Sequence, residues 1–377
     1  MRIHFLGHSE YIVEIENGSG QPIRILCDTW LSSHAFGDFM ERNPLIEIDY
    51  EKLPELHAVY ISHPHCDHLD PYTLVRLYEK GSPALLLPET MLYLQPLFQK
   101  YLNNPEIVIL RDGLIHEWNG ISIGALSFVH GYHTNEDDVM MPLFFSKSEI
   151  FFSEVDAALP DDAVAHHRLH ALFTSQGFKN RVYMATRNEL EALFISYDAQ
   201  EPSERAKRIV EYLNRREDEI RYEYEKFESG EADYPDIWGL KNMIKLFSGQ
   251  GMIFPTGICA DYLRLSAPFP LSKVCALEKR IAAEYGRRFE VARHEPGKVA
   301  TITDGRVTAT EVLAYLKRIE NRPVSYDANL TIHSDHNPSP LSNREGDTAV
   351  RRERILKILN DRYLPFLAAD LEKPLKG

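Results

Sequence analysis

Cysteine is scarce in this chain: four residues in 377, at Cys27, Cys66, Cys259 and Cys275, with no C-x-x-C pair among them. That scatter excludes a disulfide framework and a cysteine-rich zinc module, and it predicts a reduced, cytoplasmic protein. Long hydrophobic runs are missing too. None approaches the ~18 apolar residues of a membrane span. The opening "MRIHFLGHSEYIVEIENG" alternates like a strand and lacks the apolar stretch of a signal peptide. Positive charge is in deficit, since 42 Lys and Arg face 56 Asp and Glu and leave a formal charge of −14. An acidic surface without a basic stripe argues against nucleic acid or an anionic membrane as partner. A small-molecule substrate stays open, even an anionic one, and so does a homo-oligomer. Repeats and low-complexity linkers are absent as well.

The elements that are there alternate in kind. "IHFLGHSEYIVEIENGSGQPIRILCDTWL" reads as two or three strands broken by a turn at "NGSGQ". "HAVYIS" is a short β-branched run. Asp70 and Pro71 then open a helix, "DPYTLVRLYEKG", with Gly81 at its C-terminal end. "PALLLP" and "EIVIL" read as strands, with helical pieces between them. "LIHEWNGISIGALSFVH" turns at Asn119-Gly120, "MPLFFSKSEIFFSEVD" turns at "SKSE", and "GKVATITDGRVTA" turns at Asp304-Gly305. A charged segment at 201–235 has helical spacing, and about 306–377 reads as a helical extension. This order predicts one layered α/β domain over 1–377.

The densest chemistry lies in "YISHPHCDHLDPYTL". His63, His65, Asp67 and His68 fall within six positions, between a strand and a capped helix. Imidazole and carboxylate are the usual ligands of hydrolytic zinc, and imidazole also suits iron. If the strand geometry persists, His63 and His65 point the same way toward one metal. Asp67 and His68 then serve a second. The following helix brings its N-terminal dipole near the site.

His-x-His-x-Asp-His after an apolar strand resembles the metallo-β-lactamase fold superfamily. "LGHSEYIVEI" and "ILCDTWL" are similar to its opening strands, with Thr29 where a proline is usual. "CDTWLSSHAF", "FFSEVDAA" and "MIFPTGICADY" further resemble the metallo-β-lactamase-like part of the CMP-N-acetylneuraminate hydroxylases and their bacterial relatives. This chain lacks the C-x-H…C-x-x-H pair of their Rieske domain. The resemblance implies a four-layer αββα sandwich with helical additions in the middle and at the C-terminus. It also implies two divalent metal ions, zinc first, with iron or manganese as alternatives. It places a third histidine of the first metal at His130, with His133 as substitute or supporting partner. Asp156 becomes the aspartate that bridges the two metals, and Asp67 and Asp156 become the candidate proton carriers. Asp28 is expected to support the metal loop from behind. The last ligand of the second metal has no clear histidine: Asp261 and Cys259 are the nearby candidates, and His294, His333 and His336 the more distant ones. His8 reads as a buried imidazole and Cys66 as packing.

Three functions follow as expectations. The first is a metal-dependent hydrolase acting on an ester, lactone, amide or phosphoester-type substrate. An iron-dependent oxygenase on the same scaffold is the second, and a non-catalytic binding protein the third.

Overall fold

A computed structural model describes residues 1–32, 34–35, 40–42, 46–65, 67–102, 104–128, 139–155, 180–185, 251–255, 260–262, 289–291 and 296–318. Strands β1 (Arg2–Phe5), β2 (Tyr11–Glu16) and β3 (Pro22–Cys27) form an antiparallel meander. Asn17 closes its second turn by accepting from the backbone N–H groups of Ser19 and Gln21. Three short strands follow: β4 (His34–Ala35), β5 (Met40–Arg42) and β6 (Ile46–Ile48). Strand β7 (Ala58–Tyr60) then joins β3 in parallel.

Helix α1 (Pro71–Lys80) starts where the sequence places it. The Asp70 carboxylate accepts from Tyr72 N at 3.0 Å and from Thr73 Oγ1 at 2.9 Å. Such a cap is worth about 1 kcal/mol. Gly81 ends the helix, but its backbone is extended rather than left-handed (φ −159°), so freedom from a Cβ is not what terminates the helix. Strand β8 (Ala84–Pro88), a 3-10 turn (Glu89–Leu94), helix α2 (Gln95–Tyr101) and strand β9 (Ile107–Leu110) extend the parallel half.

A second sheet begins with β10 (Ile115–Trp118), β11 (Ile121–Phe128), β12 (Val139–Phe145) and β13 (Glu149–Ser153), antiparallel in turn. Asn119 and Gly120 both take positive φ at the first of these turns, as a tight hairpin requires. Strands β14 (Asn180–Ala185), β15 (Gly251–Pro255) and, after β16 (Ala260–Tyr262), β17 (Phe289–Val291) continue this sheet in parallel. Strand β16 leaves it and pairs with β5, which also pairs with β4. The hairpin β18 (Lys298–Thr303) and β19 (Arg306–Val312) returns to β1, and β20 (Leu316–Arg318) pairs with β6.

The central strands β7 and β8 are buried on both faces, which explains their near-continuous apolar sequences. Leu26, Val59, Leu85 and Leu87 face α1 and α2, where they meet Leu74, Leu77 and Phe98. Ile25, Tyr60 and Leu86 face the second sheet and meet Ile123, Phe144 and Phe151. Full burial of each such side chain contributes ~1.5–3 kcal/mol. Helices, first sheet and second sheet make three layers. The residues expected to form a helical layer over the second sheet, the charged segment 201–235 and residues 319–377 lie outside the described residues. The stretch expected to be helical from about 306 begins instead with strands at 306–312 and 316–318. Val307, Thr308, Thr310 and Val312 are β-branched and suit a pleated strand.

Candidate metal centre

Strand β7 stops at Tyr60, and Ile61 and Ser62 lead into the histidine loop. Strand geometry does not persist through it. His68 N and Leu69 N both donate to His65 O, at 3.0 and 2.6 Å, so the loop coils. Coiling draws three imidazoles together. The His63 ring centre lies 4.5 Å from that of His65 and 4.1 Å from that of His68. All three are buried, as is Asp67, whose Oδ2 stands 3.7 Å from His68 Nε2.

Asp28 organises this group from behind. It has a left-handed backbone (φ +56°), which aspartate tolerates better than most residues. Its N–H donates to Tyr60 O at 2.8 Å. Its carboxylate accepts from Ser62 N at 2.8 Å, from Ser62 Oγ at 2.9 Å and from His68 Nδ1 at 2.7 Å. A hydroxyl has one proton, and Ser62 gives it to Asp28. The 2.9 Å contact between Ser62 Oγ and His63 Nδ1 is therefore donated by the imidazole. Both rings thus carry their proton on Nδ1, and a metal would take Nε2. Thr29 completes the support, since its N–H and hydroxyl both donate to His68 O, at 2.7 and 3.1 Å.

Beside this loop lies a buried ion pair. Glu10 Oε2 accepts from Arg42 Nη2 at 2.6 Å. Burial pushes the Glu10 carboxyl up to about 7, against the pull of Arg42 and of the nearby His68. His8 is buried with its ring edge-on to Trp30 at 5.8 Å, in keeping with a packed imidazole. Cys27 is sealed in the core, where burial and then the neighbouring Asp28 push its thiol well above the usual range. It is therefore no nucleophile at neutral pH.

The second sheet is fastened to the same loop. Met140 N donates to Ser62 O at 3.1 Å, and the Tyr60 hydroxyl donates to Met140 O. Strand β13 ends at Ser153, and Val155 follows with φ +48°. A β-branched residue there costs about 1–3 kcal/mol. His130, His133, Cys66 and Asp156 lie outside the described residues. Asp261 stands on β16, where its backbone is in register with Glu41 of β5. The structure thus brings His63, His65, Asp67, His68 and Asp28 together. Among the described residues no set of three or more His, Cys, Asp or Glu is arranged as a finished metal site. Three imidazoles and a carboxylate on one buried loop are nevertheless the donor types that zinc or iron takes. Sequence reading overlooked Ser62, Glu10 and Arg42. Ser62 had a signal, its place directly before the cluster. Glu10 and Arg42 are 32 residues apart and had none.

No family model matches the chain. A protein of Mycolicibacterium smegmatis described as a putative Rieske 2Fe-2S iron-sulfur protein is 31% identical over 86 residues, which is 23% of this chain and 16% of that protein. The chain therefore spans about one-sixth of the length of the curated relatives it matches. Solved structures similar to it include metallo-β-lactamase-fold proteins. They include CmlA, a diiron β-hydroxylase from Streptomyces venezuelae (TM-score 0.47, 14% identity, 78% of this chain and 52% of that one). Zinc-bound PqqB from Methylobacterium extorquens has a TM-score of 0.42 at 9% identity, over 78% and 98% of the two chains. The metallo-β-lactamase fold protein YhfI from Bacillus subtilis has a TM-score of 0.42 at 12% identity, over 79% and 98%. Every one of these TM-scores lies below 0.5.

Proposed function

We propose that this chain is a metal-dependent hydrolase whose substrate is an ester, lactone, amide or phosphoester. The observation that carries the reading is the coiled loop with three buried imidazoles, two of them proton-fixed on Nδ1 by Asp28 and Ser62. His63, His65 and His68 would hold metal through imidazole nitrogen, and Asp67 through its carboxylate. His130 or His133, Asp156 and Asp261 are the residues proposed to complete two sites. A bound divalent ion supplies Lewis acidity and lowers the pKa of water to ~7. The chain's own part is to hold the ligands, exclude bulk water and carry a proton on Asp67 or Asp156. The partner is a small molecule, in a cytoplasmic setting.

A second reading is an iron-dependent oxygenase. It is favoured by the donor set itself, since the buried imidazoles of His63, His65 and His68 suit iron as well as zinc. One experiment separates the two. Elemental analysis of the purified chain is expected to give about two zinc ions per chain, with ester, lactone or phosphodiester turnover. Iron together with oxygen consumption favours the oxygenase instead. His65→Ala is expected to lose most bound metal and nearly all turnover with its circular dichroism unchanged. Full metal content in that variant overturns the site.

A further inference from the structure

Arg42 is 2% exposed, and its partner Glu10 is wholly buried. Charged groups are rarely placed so, because desolvation offsets most of what their attraction returns. The guanidinium does more than neutralise Glu10. Nη2 donates to Glu10 Oε2 at 2.6 Å and to Leu6 O at 3.4 Å, while Nη1 donates to the Trp30 carbonyl. The same group lies 5.3 Å from the Trp30 ring centre. It therefore bridges two turns, 6–10 and 28–31. The first turn is closed by Leu6 N and Gly7 N donating to Glu10 O at 3.0 and 3.3 Å. A Cβ at position 7 would land on the guanidinium, so Gly7 leaves the slot that Arg42 fills. The second turn carries Asp28 and Thr29, which hold His68. On its other side, the backbone of β5 pairs with β16, with Arg42 opposite Ala260 and Glu41 opposite Asp261.

We propose that Arg42 is a positioning residue of the metal centre: it seats β5, and with it β16 and Asp261, on the two turns that support the histidine loop. This rests on the metal-centre reading above. Three acceptors around one buried group call for a planar fork, which lysine lacks. A side chain that served stability alone could be replaced together with Glu10 by apolar residues.

The test uses the full chain loaded with Co²⁺. Its visible absorption band reports ligand geometry, and chelator competition reports affinity. Arg42→Met is expected to weaken Co²⁺ binding by about 10- to 100-fold, the range for residues that orient metal ligands, and to alter the band. Arg42→Lys is expected to remain impaired. Gly7→Ala, which keeps both charges but blocks the slot, is expected to behave like Arg42→Met. The double variant Glu10→Met/Arg42→Met removes the stranded carboxylate. It is expected to regain the melting temperature without regaining affinity, because the Trp30 carbonyl still lacks its donor. Wild-type affinity and an unchanged band in Arg42→Met overturn the proposal. So does a double variant whose affinity returns along with its melting temperature. Should Arg42→Met fail to fold, Gly7→Ala and the double variant decide the matter by the same criteria. A wild-type chain that takes up no Co²⁺ overturns the metal centre itself, and this proposal with it.

Discussion

Asp28 shows how one side chain can set the chemistry of its neighbours. With three hydrogen bonds in 2.7–2.9 Å it orders Ser62 directly, His68 directly and His63 through Ser62. Its negative charge is what makes His68 a donor at Nδ1 and leaves Nε2 for the proposed metal. Asp28→Asn keeps the shape and tolerates the same left-handed backbone. Its amide removes the charge and can present a donor where an acceptor is needed. Metal affinity is expected to fall about 10- to 100-fold, read by chelator competition, with little change in fold. Asp28→Ala should in addition destabilise the chain by about 1–3 kcal/mol, because buried donors lose their acceptor. Urea unfolding of the metal-free forms measures that difference.

At the scale of the element, the informative contact joins β1 to the stretch before β20. His4 Nδ1 meets the Tyr315 hydroxyl at 2.7 Å, in a buried position. Burial is the main cause that lowers the His4 pKa from 6.5 to about 4. Arg2 and Arg24 also lower it, and Glu14 opposes them. In the unfolded chain the ring titrates near 6.5. Between pH 6.5 and 4 the unfolded state binds the extra proton and the folded state does not, so stability falls as pH falls through that window. The contribution is complete above 6.5 and gone below 4, and amounts to about 3 kcal/mol. His4→Gln is expected to flatten the pH dependence of urea unfolding across that window. An unchanged slope would mean that His4 binds its proton equally in both states. Elements with local causes matched their sequence. Asp70 caps α1, and Asn119-Gly120 and Asp304-Gly305 turn their hairpins with positive φ. The helical extension expected from about 306 did not match at its start, where β18 offers a partner strand.

For the whole molecule, the histidine loop lies where the two sheets meet. Met140 N donates to Ser62 O and the Tyr60 hydroxyl to Met140 O, which tie the second sheet to the loop borne by the first. A metal that bridges residues from both sheets binds the folded chain only. Metal at 100 times its dissociation constant is then expected to add about 2.7 kcal/mol to stability. Thermal melts with and without a strong chelator read this as a lower melting temperature on metal removal. No change would mean that metal does not prefer the folded chain and would overturn the centre. The same scale explains what was hidden in the sequence. Arg42 and Glu10 look like surface charges, and Asp261 and Glu41 lie 220 positions apart; each pair meets only because β5 crosses the two turns and β16 crosses back to β5.

What the sequence by itself determined is local. The crowd at 63–68, the capped helix behind it and the tight hairpin turns all depend on residues a few positions apart, and short-range sterics and hydrogen bonding act over that range. Tertiary structure alone decided which nitrogen of His63 and His68 carries the proton, because Asp28 comes from a different strand. It likewise decided that Gly7 makes room for Arg42, because a slot between two turns exists only once the chain has closed on itself and expelled water from it.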